Sequence, residues 1–208
     1  PARVVHLGRS SVRASRAQME GWQPLPSADE EERADRFHFE RDRRRYIVAR
    51  SSLRRLLGAY LDRDPAAVRF VYADKGKPLL DPEPEWPDIS FNLSHAGELA
   101  VFAFSTEGYI GVDIEEHRPL DNLPGLAQSV FSPQELRDLN GLPPARRYRA
   151  FYDCWTRKEA FIKAIGDGLS YPLAQFDVTL RPDAPAQLLR VAGDPDARAL
   201  WQMASFLP

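Results

Sequence analysis

The sequence predicts an α+β protein made of two similar halves, and three observations predict it. Apolar residues alternate at period two in some stretches and recur every third or fourth residue in others, so strands and helices are both present. These stretches run strand, helices, strands, and then strand, helices, strands again. The turns between the central strands are short, which favours small antiparallel sheets. The repetition is one of architecture, without a matching residue-level repeat. Its best seam lies at Thr106–Gly108, giving an N-terminal half of residues 1–107 and a C-terminal half of residues 108–208.

The elements follow in order. Arg3–Leu7 reads as a short strand and is followed by a loop carrying Pro and Ser. Ser27-Ala-Asp-Glu30 has the spacing of a capping box and starts a helix. A second helix runs from about Asp42 to Leu61, with Tyr46, Ala49, Leu53, Leu56, Leu57 and Tyr60 on its inner side. Asp64-Pro65 reads as a cap followed by proline, then Val68–Tyr72 as a strand and Asp74–Pro78 as a turn. Residues 81–88 form an acidic loop broken by proline. Ile89–Leu93, Leu99–Phe104 and Tyr109–Ile114 read as three strands of an antiparallel meander. Ser132-Pro-Gln-Glu135 is a second capping box, opening a short helix that ends near Gly141. A long helix follows Pro143-Pro144 and stops at Gly166. Phe176–Leu180, Gln187–Val191 and Leu200–Phe206 are strand candidates.

Composition limits the function classes. The chain has 208 residues, 43% hydrophobic and 28% charged, as in soluble globular proteins. Its single cysteine, Cys154, rules out an internal disulfide framework and suits a reducing, cytoplasmic setting. No apolar run reaches the roughly 20 residues that span a bilayer, and the N-terminal residues lack the apolar core of a secretory signal. A net charge of −2 does not suggest a nucleic-acid binder. Between Arg33 and Arg55, however, nine arginines face three acids, an excess that would attract phosphates or an acidic partner if it is not merely a solvated helix face.

The chemistry concentrates in a few motifs. Along Phe151–Ser170 a helical reading places Phe151, Trp155, Ile162 and Ile165 on one apolar face, with Lys158 and Glu159 inside it or at its edge. Charge in such a place needs a partner or a metal. In Gly111-Val-Asp-Ile-Glu115, Asp113 and Glu115 share one face of an extended segment, about 7 Å apart. With Glu159 they could form a three-carboxylate site for a hard cation such as Mg²⁺, which keeps positions for water and phosphate oxygens. Lys158 and Lys163 would suit a phosphate, although Glu159–Lys163 also reads as a plain helix pair. Ser94 and His95 end a strand before Gly97 and present donors together. Lys75-Gly76-Lys77 is a basic turn without the spacing of a phosphate-binding loop. Cys154 beside Trp155 reads as buried filler. The carboxylates alone leave a metal-dependent phosphohydrolase open, and the arginines alone leave a docking module open.

Taken together, the order and spacing of GKP, FNLSH, GVDIE and WTRKEAFIK, with RFHFERDRRRY upstream, resemble the 4′-phosphopantetheinyl transferases of the surfactin-synthetase-activating type over about Ser27–Phe176. The resemblance implies two α+β halves related by a pseudo-twofold, with coenzyme A and the active site at the seam. It implies transfer of the phosphopantetheine arm of coenzyme A to a serine of an apo acyl or peptidyl carrier protein, releasing 3′,5′-ADP. Asp113, Glu115 and Glu159 then match the Mg²⁺ ligands, Glu159 the base or its positioner, and Lys163 the lysine that supports the departing phosphate. Arg36, Arg41, Lys75, Gly76, Lys77, Ser94, His95, Asp113 and Lys163 match coenzyme A contacts. The enzyme would be cytoplasmic and monomeric, serving polyketide or peptide biosynthesis.

Overall fold

The computed structural model of the chain describes residues 5–12, 26–84 and 86–207, and it divides into two compact units, residues 1–114 and 115–208. Arg3 and Val4 of the first expected strand, most of the Pro- and Ser-bearing loop, and Pro208 lie outside the described residues. The α+β reading holds: six α-helices and three small antiparallel sheets are present among the described residues.

The first unit opens with β1 (Val5–Ser11), α1 (Ala28–Asp35) and α2 (Glu40–Leu61). The Ser27 backbone N–H donates to the Glu30 carboxylate at 2.9 Å, the return arm of the expected capping box. A short 3₁₀ turn, Pro65–Ala67, is capped by Asp64, whose Oδ1 accepts from the Ala66 N–H at 2.9 Å. The hairpin β2 (Phe70–Tyr72) and β3 (Pro78–Leu80) closes through Gly76, whose φ of 81° needs a residue without Cβ. β4 (Ser90–Ala96) and β5 (Leu99–Ser105) form a second hairpin, and β1 adds to the free side of β5. Leu53 and Leu57 of α2 pack with Val68, Phe91 and Phe102 as the core.

Two expectations fail in this unit. Tyr109–Ile114 is not a third meander strand. In the order β1-β5-β4 both edges of β5 are already taken, so the segment after it cannot join its ladder. The inner side of α2 also differs. Tyr60 is exposed and Tyr46 and Leu56 are half-buried, whereas Arg50 and Arg54 are buried. Both arginines turn inward to a buried carboxylate, Glu30.

The second unit contains α3 (Leu123–Val130), α4 (Pro133–Asn140), α5 (Pro144–Ile165), β6 (Phe176–Val178), β7 (Leu188–Val191) and α6 (Ala197–Leu200). Both arms of the Ser132–Glu135 box are present at 2.8 and 3.1 Å. Pro144 sits in the first turn of α5, and Gly166 stops it at φ 86°. α3 escapes a propensity reading because Pro124 and Gly125 suggest a loop; the Asn122 side chain caps it through the Gly125 N–H at 3.0 Å. The expected strand over Leu200–Phe206 is absent. That tail is held by side chains instead: Arg157 Nε donates to Ser205 Oγ at 3.1 Å, and Trp201 meets Phe161 edge-on.

The apolar face expected for α5 enters the core, with Phe151 and Ile162 buried and Trp155 and Ile165 packed against them, but it is not the helix's only enclosed side. The consecutive residues Arg157, Lys158 and Glu159 are all buried, as are Cys154, Phe161 and Ile162. No one face of a helix holds three consecutive residues. α5 is enclosed on several sides, by α3, α4 and β6.

A residue-level echo emerges where the sequence shows none. Glu30, fully buried, accepts from the Ser27 N–H and from Arg54 Nε at 2.7 Å. Arg54 also donates to the Val68 carbonyl and lies against the ring of Phe70, the first residue of β2. Glu135, equally buried, accepts from the Ser132 N–H and from Lys158 Nζ at 2.7 Å. Lys158 donates to the Phe176 carbonyl and lies over the ring of Phe176, the first residue of β6. Each cation sits fourteen residues into its 22-residue helix.

Removing one member of such a pair strands a buried charge. Lys158→Met should therefore lose about 3–5 kcal/mol in urea unfolding. The double variant Lys158→Met/Glu135→Leu should lose less than the two single losses added together. A Lys158→Met loss below about 1 kcal/mol would count against the pair.

Candidate active site

In the first unit Lys77, Ser94 and Asp113, of the expected residues, come together around the extended segment 109–114. The Val112 N–H donates to Asn92 Oδ1 at 2.9 Å, and Lys77 Nζ donates to the Ile110 carbonyl at 3.3 Å. Backbone groups that would otherwise enter a ladder are thus met by side chains. Val112 and Ile110 pack against Val101 and Ala103 of β5. Ser94 Oγ donates to Asp113 Oδ1 at 2.9 Å. Ser94 is buried on β4, and its neighbour His95, exposed, points from the opposite face. Lys75 and Gly76 are exposed at the tip of the β2–β3 turn.

The arginine-rich stretch is less available than its composition suggests. Arg50 and Arg54 both face Glu30. The Arg50 contact, Nε to Oε1 at 2.8 Å, is one of charge, since its angles miss hydrogen-bond geometry. Arg43, Arg44 and Arg45 each have a carboxylate within ion-pair distance. Arg36 and Arg41 are exposed, but they lie beside Glu32 and Asp42. Exposed pairs of this kind contribute little stability, yet they offset much of the local positive excess.

In the second unit, α5 carries the remaining residues. Trp155, Glu159 and Lys163 stand at successive turns of one helix row. Trp155 Nε1 donates to Glu115 Oε1 at 3.1 Å. Glu159 is 8% exposed, and Lys163 is half-buried. Lys158, expected to serve a phosphate, is 0% exposed and committed to Glu135 and the Phe176 carbonyl, so it cannot reach a ligand. Cys154 is buried, and burial pushes its thiol well above the ordinary range, as suits filler rather than a nucleophile.

Among the described residues, no group of three or more His, Cys, Asp or Glu side chains is drawn together as a metal cage. One oxygen of Asp113 and one of Glu115 are instead engaged by Ser94 and Trp155. Two contributors were not singled out from the sequence as polar partners. Trp155 was read as purely apolar, although a half-buried indole N–H calls for an acceptor. Asn92 was overlooked, although Asn-x-Ser on a strand puts two polar side chains on one face.

Burial lowers the Lys77 ammonium to about 8 from an ordinary 10.5. The unfolded chain then holds the extra proton between these values, so folded stability rises as pH climbs from about 8 to 10.5. Relative to Lys77→Met, the wild-type protein should gain stability over that window in denaturant titrations. A flat difference would mean that Lys77 is fully solvated.

A family model described as the 4′-phosphopantetheinyl transferase superfamily matches residues 109–205, and one described as 4′-phosphopantetheinyl transferase, N-terminal, matches residues 13–107. The chain is 39% identical to the 4′-phosphopantetheinyl transferase HetI of Nostoc sp., over 88% of this chain and 77% of that protein. It is 38% identical to a putative 4′-phosphopantetheinyl transferase of Synechocystis sp., over 89% and 73% of the two chains. It is 32% identical to the transferase Sfp of Bacillus subtilis, over 84% and 75%. With the buried, motif-bearing helix α5 and the extended GVDIE segment in place, these matches assign the chain to the 4′-phosphopantetheinyl transferases, enzymes that move phosphopantetheine from coenzyme A to carrier proteins.

Proposed function

We propose that this chain transfers 4′-phosphopantetheine from coenzyme A to the serine hydroxyl of an apo acyl or peptidyl carrier protein, with 3′,5′-ADP as the second product. The observation that carries this reading is the α5 row, in which a buried carboxylate, Glu159, stands one turn from Lys163 and one turn from the tryptophan that holds Glu115. A serine hydroxyl is a weak nucleophile and needs a base. Glu159 is the group to take its proton as the serine oxygen bonds to the phosphorus bearing the pantetheine arm. The bond from that phosphorus to the bridging oxygen then breaks, and Lys163 stabilises the charge on the departing phosphate.

The residues fit a hard cation through their donor chemistry: Asp113, Glu115 and Glu159 supply oxygen only, the preference of Mg²⁺. When bound, Mg²⁺ would neutralise the pyrophosphate charge. Coenzyme A phosphates would be met by Lys77, with Lys75, Gly76, Ser94, His95, Arg36 and Arg41 as further contacts. Lys77 is half-buried and easily deprotonated, so a bound phosphate would favour its charged form. No helix among the described residues is long and apolar enough to cross a membrane. The family resemblance extends the proposal to a monomeric cytoplasmic enzyme serving polyketide or peptide synthesis.

Incubation with an apo carrier protein, coenzyme A and Mg²⁺, followed by mass measurement, should show the carrier gaining one phosphopantetheine group. Glu159→Gln and Asp113→Ala should each reduce transfer at least a hundredfold, the range expected when a general base or a metal ligand is lost. No gain across a panel of carriers would refute the transfer, and coenzyme A cleavage without any carrier would favour a hydrolase. Full activity in Asp113→Ala would refute the metal assignment.

A further inference from the structure

We propose that Asn92 is a positioning residue that sets the Asp113 carboxylate by clamping the backbone of the residue before it. The proposal rests on the metal reading of Asp113 given above. Asn92 and Ser94 lie two residues apart on β4 and so share one of its faces. Asn92 is 8% exposed and accepts the Val112 N–H at 2.9 Å; Ser94 is also buried and donates to Asp113 Oδ1 at the same distance. The strand therefore holds the GVDIE segment at two successive points, once by backbone and once by carboxylate.

The clamp matters because the segment has no ladder to hold it. With both edges of β5 occupied, residues 109–114 run free of any sheet. The Val112 amide is the backbone N–H immediately before Asp113, so fixing it limits the rotation that would swing the carboxylate. The Val112 side chain, buried against Val101 and Ala103 of the neighbouring β5, gives the same residue a second hold. Groups that orient a ligand without touching the metal commonly change metal affinity ten- to a hundredfold when removed.

The test uses the full chain with Mn²⁺ alone as probe, followed by electron paramagnetic resonance, together with hydrogen exchange of backbone amides. In the wild-type protein the Val112 amide should be the slowest to exchange in the 109–114 segment; exchange as fast as that of its neighbours would overturn the clamp without any variant. Asn92→Leu keeps the side-chain shape and removes the acceptor. It should bind Mn²⁺ about tenfold or more weakly and lose Val112 protection. Asn92→Asp keeps an acceptor oxygen and should retain that protection. If Asn92→Leu does not fold, Asn92→Ser, which withdraws the acceptor from reach, carries the same expectation. A variant that is less stable but binds Mn²⁺ like wild type would make Asn92 merely structural and sink the proposal. Failure of the wild-type protein to bind Mn²⁺, with Val112 still protected, would instead overturn the metal reading while leaving the clamp standing.

Discussion

In each unit the fold depends on one buried carboxylate that does two tasks. Glu30 and Glu135 close the start of a short helix by accepting the N–H of the serine before it, and each also receives a cation from the following long helix. Burying a carboxylate alone would be prohibitive, so the cation, the serine amide and the packing must be present together. Arg54 and Lys158 extend the tie to the backbone of the next segment, at Val68 and Phe176. Glu135 also takes the Val178 N–H at 2.9 Å, which joins α4, α5 and β6 through one side chain. Such networks are costly if incomplete, and that cost restricts each long helix to one rotation and one register.

The rotation of α5 has a functional consequence. Lys158 and Glu159 are adjacent in sequence, so their side chains leave the helix about 100° apart. Committing Lys158 to Glu135 fixes where Glu159 and its row-mates Trp155 and Lys163 stand. The structural cation and the proposed base are thus neighbours with different tasks. The extended segment 109–114 is held by different means, through the side chains of Asn92, Ser94 and Lys77 rather than a ladder. A carboxylate on such a segment can be placed without the constraints of strand pairing.

The sequence made many boundaries legible for local reasons. The two capping boxes, the prolines beside them, and the glycines at positions 76 and 166 act within a few residues of themselves, so their meaning survives without tertiary context. The long helices and the β4–β5 hairpin followed from period alone. Tyr109–Ile114 and Leu200–Phe206 have the composition of strands but do not form them; for the first, both edges of the preceding strand β5 are already taken. Arg50 and Arg54 turn inward to Glu30, which lies 20 and 24 residues away in the chain, and Lys158, placed in or beside the apolar face by the helical pattern, finds its partner in Glu135, 23 residues away.

By itself, then, the sequence determined the α+β class, the helix ends and the ordered motif set from GKP to KEAFIK. These rest on short-range chemistry and on spacing, which a linear chain displays in full. The tertiary structure alone decided which charges are committed to holding the fold together. It separated Lys158 from Lys163, gave Glu115 its tryptophan and gave Val112 its asparagine. Those outcomes turn on desolvation and on partners brought together by folding, and neither is a property of any stretch read alone.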